Sequence, residues 1–201
     1  MDAIRYFARS WSCSQPVYPP ELIPIRLAGI RHQLRQFEGA TPRILPKSTM
    51  KELYSLCPAL FNPDYPQVLT NGNLSLTSVR IGQHTPELAS IVDWSLAKVL
   101  PFGMDLDILF LTTGYMDTKV WRDYSCKMWF LAIFWDQFWL DAGIQDVEER
   151  TRVRAIAEAA AKIGAILRYG FRRQVDGAAD NVVSWTGRDA ILLTHWIGGE
   201  N

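Results

Sequence analysis

One long segment near the carboxyl end places the strongest limit on the fold, because it has clear helical periodicity. Residues 147–170, VEERTRVRAIAEAAAKIGAILRYG, alternate charged and apolar faces and end at Gly170. A helix of this kind must bury its apolar face against other elements. Apolar spacing predicts the helices available for that packing, at about 2–12, 21–38, 48–57, 105–113, 119–142, 146–168 and 186–197.

The stretch between residues 66 and 94 has a different pattern. Short β-rich pieces occur at about 66–70, 76–82 and 88–93, and GQHTPE is a turn that would close the last two into a hairpin. We therefore expect an α+β fold that is mostly α, as a single domain over residues 1–201. It would have a helical part at 1–65, a β-rich part at 66–94 and a helical part at 95–201.

Composition excludes several classes of function. Lys and Arg total 21 and so do Asp and Glu, so no overall charge favours nucleic acid or an anionic membrane. The basic stretch RYGFRRQ, residues 168–174, could touch phosphate, but we interpret it as a solvated helix end. The apolar run MWFLAIFW is too short to span a membrane, and the first residues lack a secretory signal.

Cysteine and histidine usage narrows the chemistry further. The three cysteines lie far apart and form no CxxC motif, which is typical of a reducing compartment, so we expect a cytoplasmic protein. The three histidines have no metal-binding spacing. We expect neither a metal site nor a cofactor.

The loop LTNGNLSLTS, residues 69–78, has the layout of a catalytic loop but contains no ionisable side chain. SIVDW follows it, and then KVLPFGMDLDILFL, TTGYMD and WRDY…FWDQFW. In this order these elements resemble the catalytic segment of the aminoglycoside phosphotransferase family, especially its fungal members. The resemblance covers roughly residues 60–145. It implies the C-terminal lobe of a protein-kinase-like fold, with the β hairpin as a small insert.

The departures from the family pattern fall on the residues that would carry phosphoryl transfer. Asn71 stands in place of the family's histidine, Asn73 in place of its catalytic aspartate, and Ser78 in place of a metal-binding asparagine. Asp93 matches the second metal ligand, and Asp105 matches an aspartate that the resemblance implies to brace the loop. No glycine-rich nucleotide loop or VAIK-like strand occurs, so we expect the N-terminal nucleotide lobe to be absent.

These substitutions predict a site that has lost its kinase chemistry. The candidate catalytic residues are Asn73 as a hydrogen-bond donor and Asp93 as a partly desolvated acid or base. For Asp93, a purely structural role bonded to loop amides is the alternative. The candidate substrate-binding residues are Asn71, Ser78, Trp94, Tyr115 and Trp121, of which the last three are expected in loops beside the site.

A neutral cleft with amides, hydroxyls and aromatic rings suits a mostly apolar small molecule. Our first hypothesis is a cofactor-free cyclase or isomerase of fungal secondary metabolism, with cycloaddition included. The alternatives are a non-catalytic pseudokinase-like binding or scaffold protein, and the C-lobe of a true phosphotransferase. A closed apolar cavity walled by Asn73 and Asp93 would favour the first. An exposed face at the position of the missing lobe, covered by a homodimer or another chain, would favour the others.

Overall fold

A computed structural model describes residues 2–16, 18–41, 43–82, 84, 87–173, 179–182 and 187–198. Gln83, Thr85 and Pro86 of the predicted turn lie outside these residues, as does Gln174.

The amino-terminal part is helical, as predicted. It contains α1 (Asp2–Ser12), α2 (Leu22–Gly39) and α3 (Lys47–Leu56), followed by a 3₁₀ turn at Cys57–Phe61. In α2 the residues Ile30, Leu34 and Phe37 are buried at helical spacing. Leu22 and Ile25 of the same helix lie 38% and 65% exposed. The amino-terminal part of α2 therefore leaves apolar surface uncovered.

The described residues also form four antiparallel two-stranded sheets. They pair β1 (Gln67–Thr70) with β4 (Lys98–Pro101), β2 (Val79–Ile81) with β3 (Leu88–Ile91), β5 (Gly114–Asp117) with β6 (Val120–Asp123), and β7 (Phe171–Arg173) with β8 (Ala179–Val182). The β2–β3 hairpin was predicted. The other pairings were not.

The remaining helices are α4 (Ile108–Thr112), α5 (Lys127–Ala142), α6 (Val147–Tyr169) and α7 (Arg188–Ile197). The predicted helix at 119–142 begins later than expected, because residues 120–123 pair with 114–117 as a hairpin. The side chain of Asp146 caps α6 by accepting a hydrogen bond of 2.7 Å from the Glu149 amide. Helix α3 begins after Pro46 without a side-chain cap.

Helix α6 lies in the core and packs against its neighbours through small residues. Ala157, Ala160 and Gly164 are buried, and a side chain at Gly164 would collide with the Met104 carbonyl oxygen. Aromatic residues fill the space between α1, α5 and the β1–β4 sheet. Phe102 stacks on Phe138 with ring centroids 5.3 Å apart. The chain is thus a mixed α+β protein with small antiparallel sheets, which confirms the predicted fold class at that level.

Candidate functional site

The loop that follows β1 turns on a glycine. Gly72 has a left-handed backbone with φ of 78°, and a side chain there would collide with the carbonyl oxygen of Leu96. Both conditions require glycine. The turn between Asn71 and Asn73 is therefore fixed by its backbone, in contact with the segment that precedes β4.

A buried cluster of charged side chains forms hydrogen bonds with the backbone of this loop. Asp105 accepts a hydrogen bond of 2.7 Å from the Asn71 backbone amide through Oδ2. Its Oδ1 accepts a hydrogen bond of 2.9 Å from Arg168. Arg168 also donates to Asp107 at 2.9 Å and to the Leu74 carbonyl at 2.8 Å. The cluster joins the loop, the turn before α4 and the end of α6.

Burial makes these contacts important for stability. Asp105 and Asp107 are 5% and 0% exposed, and Arg168 is 9% exposed. Burial alone would lower the pKa of Arg168, but the neighbouring Asp107 and Asp105 carboxylates raise it above its ordinary value. The guanidinium therefore stays charged and hydrogen bonded inside the protein.

The Asn71 side chain connects the loop to the end of β3. Its amide nitrogen donates to the carbonyl oxygens of Val92 and Asp93, at 3.3 and 2.9 Å. Its Oδ1 accepts a hydrogen bond of 3.3 Å from the Asn73 amide. Asn71 is fully buried, and these contacts give it a structural role as a clamp between two backbone segments.

One of the two residues to which the Asn71 side chain donates, Asp93, has unusual backbone geometry. Asp93 has a φ of 57°, a left-handed conformation that few residues other than glycine adopt. The expectation that Asp93 is partly desolvated is wrong, because the structure shows this residue exposed. Its Oδ1 accepts a hydrogen bond of 2.6 Å from the Ser95 hydroxyl.

The other two loop residues differ in exposure. Asn73 is exposed. Ser78 is only 5% exposed, and its hydroxyl lies 3.2 Å from the Ser75 hydroxyl and 3.4 Å from the Asn73 carbonyl oxygen. The structure thus brings Asn71, Asn73, Ser78 and Asp93 into one network, in which Asn73 and Asp93 face solvent.

The predicted aromatic residues line two hollows on the protein surface. Trp94 is 38% exposed and lines a hollow with Arg5 and Tyr6 of α1. Tyr115 is exposed on β5 and shares a second hollow with Trp121. Leu76 of the loop also lines the second hollow, but neither hollow is lined by Asn71, Asn73, Ser78 or Asp93.

Trp121 was expected in a loop, but it is a strand residue and only 5% exposed. It packs edge-on against Trp196 of α7, with ring centroids 5.3 Å apart. Its indole nitrogen donates to Asp123, which also accepts a hydrogen bond from Lys127 and lies 3.2 Å from His195 Nε2. Burial alone would raise the pKa of Asp123, but these hydrogen bonds lower it below its ordinary value.

The residue that sequence reasoning missed is Arg168. It was interpreted as part of a solvated basic helix end, and the structure shows it buried. A signal was present, because Arg168 follows Ala157, Ala161 and Gly164 at helical spacing on the buried face of α6. A charge on that face needs an acidic partner, and DLD at 105–107 supplies two.

A cavity of about 270 Å³ lies beside this network. Gly72, Asp105 and Arg168 line it, together with residues of α2 and β4, whereas Asn73 and Asp93 do not.

The described residues contain no group of three or more His, Cys, Asp or Glu side chains placed to hold a metal ion. Within the described ranges, no helix has the length and apolar composition that crossing a membrane requires.

Comparison of the chain with protein-family models, curated proteins and solved structures found no match.

Proposed function

We propose that the chain is a kinase-like C-terminal lobe that functions by binding rather than by phosphoryl transfer. The observation that carries the proposal is the hydrogen bond from the Asn71 amide to Asp105, within the buried Asp105–Asp107–Arg168 cluster. The family resemblance assigns this bracing role to Asp105. The loop has thus kept the support that a catalytic loop needs.

The side chains on that supported loop are unsuited to transferring phosphate. Phosphoryl transfer depends on positioned metal ions and on a carboxylate near the attacking hydroxyl. Asn73 is an amide and cannot accept that proton at neutral pH. Ser78 is engaged within the loop, and Asp93 is the one carboxylate carried over from the metal-binding pattern. One carboxylate alone holds Mg²⁺ weakly.

The same geometry weakens support for a cofactor-free cyclase. That hypothesis needs an enclosed pocket in which Asn73 and Asp93 contact the substrate. Both residues are exposed, and the cavity beside the loop has other residues in its wall. Binding without chemistry at this loop is therefore the function that the geometry supports best.

A thermal-shift titration with Mg·ATP tests the proposal. We expect no saturable rise in melting temperature at millimolar Mg·ATP, because the loop lacks the side chains that bind metal and phosphate. MgCl₂ alone is the control for general salt effects. A saturable rise that follows ligand concentration and disappears with EDTA would contradict the proposal.

A further inference from the structure

The cavity beside the braced loop has the composition of a ligand site. It lies between α2, β4 and α6, with Ile30, Leu100 and Met104 among its apolar residues. Tyr18, Arg26 and Lys98 are among the polar residues of its wall. An apolar wall with a few polar groups is the usual composition of small-molecule sites.

A glycine inside α2 lines this cavity. Gly29 lines the cavity, and a Cβ built on it would meet nothing within 4 Å. Glycine within a helix costs about 1 kcal/mol relative to alanine. Packing does not require glycine here, whereas at Gly164 in α6 the Met104 carbonyl oxygen leaves no room for a side chain. A larger side chain at Gly29 would therefore meet no neighbour at its Cβ and could extend into the cavity.

Two cations in the wall are available to a ligand. Within the described part of the chain, neither Arg26 nor Lys98 forms an ion pair. The Arg26 guanidinium carbon lies 5.0 Å from the centroid of the Tyr18 ring. The acid in the wall, Asp105, is already engaged by Arg168 and the Asn71 amide.

Tyr18 gives this side of the cavity a fixed shape. Its hydroxyl donates a hydrogen bond to the Val99 carbonyl of β4, and burial raises its pKa above the ordinary value. The neutral ring is therefore attached to the strand and offers a surface over which Arg26 lies.

From these contacts we infer that the cavity binds a small organic oxyanion, with a flat apolar body against Ile30 and Leu100 and its charged head between Arg26 and Lys98. This inference gives the proposed binding function a ligand class, but it rests on the cavity and not on the kinase-like resemblance. Phosphotransferase activity would refute the proposed function and leave this inference standing.

The test is a titration of the ¹⁵N-labelled chain followed by NMR, with 2-naphthoate as the probe. We expect saturable shifts of the Gly29 and Gly72 amide signals, with a Kd of about 1 mM or tighter. 2-Naphthyl phosphate determines whether a carboxylate or a phosphate head is preferred. 2-Naphthalenemethanol and 2-naphthylmethylammonium have the same body without the anion, and we expect both to bind at least about 10-fold more weakly.

Substitutions of the cavity residues test whether the probe binds in this cavity. Gly29→Phe fills the cavity and should abolish binding. Its matched control is Gly39→Phe in the same helix, because Gly39 also has nothing within 4 Å of its Cβ position and lies outside the cavity. Lys98→Gln and Arg26→Gln should each weaken naphthoate binding at least about 10-fold, the effect of one lost charge-assisted hydrogen bond. Arg35→Gln, an exposed arginine elsewhere on α2, is the control for net charge.

Three results would overturn the inference: no saturable shift with either anionic probe at about 10 mM, equal binding of the cationic probe, or unchanged naphthoate binding in Lys98→Gln and Arg26→Gln. Circular dichroism of each variant checks folding. If Gly29→Phe does not fold, the two charge variants still decide the outcome, because both of these side chains are exposed.

Discussion

Replacing Arg168 by methionine tests whether the buried charge cluster supports the loop. Methionine keeps the volume of the aliphatic stem, so the change acts mainly through charge and hydrogen bonding. It removes three hydrogen bonds, to Asp105, Asp107 and the Leu74 carbonyl, and leaves two buried carboxylates without their cation. Breaking such a buried pair costs about 3–5 kcal/mol. For a chain of 201 residues this corresponds to about 6–20 °C in melting temperature.

The measurement is urea unfolding and thermal melting at pH 7, with Arg172→Met as the matched control because Arg172 is exposed on β7. That control should change stability by no more than about 0.5 kcal/mol. Hydrogen exchange at the Asn71 amide should also accelerate in Arg168→Met, because Asp105 loses the partner that holds it. Asp107→Asn should cost less in the Arg168→Met background than in the wild type. A melting temperature for Arg168→Met within about 2 °C of that for Arg172→Met would show that the buried charge cluster does not stabilise the protein.

Three further predictions concern other parts of the molecule. Gly72→Ala should destabilise the protein by more than 1 kcal/mol, about the penalty of one strained left-handed residue, whereas Gly39→Ala should be neutral or stabilising; equal urea midpoints would contradict this. The lowered pKa of Asp123 adds stability that is present above the ordinary carboxyl pKa and lost as pH falls through the lowered value. Asp123→Asn should therefore destabilise more at pH 7 than at pH 3, and an equal loss at both would show that the pKa has no such role. If the chain is instead a cofactor-free enzyme, Asn73→Ala should reduce turnover roughly 10²-fold and Asp93→Asn should also slow it; full activity in both variants would exclude the loop as its site.

Elements with strong periodicity could be predicted from the sequence, since their apolar spacing reflects local geometry. Helices α1, α2 and α6 and the β2–β3 hairpin belong to this group. Residues 120–123 were predicted as the start of a helix, but they pair with 114–117 as the β5–β6 hairpin. Trp121 of this hairpin packs on Trp196, far along the chain. A local sequence pattern contains no information about a contact between residues so far apart in the chain.

The candidate site was likewise predictable from the sequence only in part. The glycine turn and the grouping of the loop with Asp93 follow from local sequence and the resemblance. The burial of Arg168 does not, because a charged residue is buried only when distant partners are placed to receive it. Asp93 was expected to be partly desolvated from the apolar strand before it, but the structure shows this residue exposed, with a left-handed backbone that the apolar pattern does not indicate.

An assay of phosphate transfer from γ-labelled ATP tests whether the braced loop lacks phosphoryl-transfer chemistry. The wild-type chain is incubated with Mg·ATP and aminoglycoside acceptors, with Asn73→Ala and Asp93→Asn as matched variants. We predict no labelled product or released phosphate above a protein-free control, and no difference among the three proteins. Transfer that requires Mg²⁺, stops with EDTA and is lost in either variant would contradict the claim.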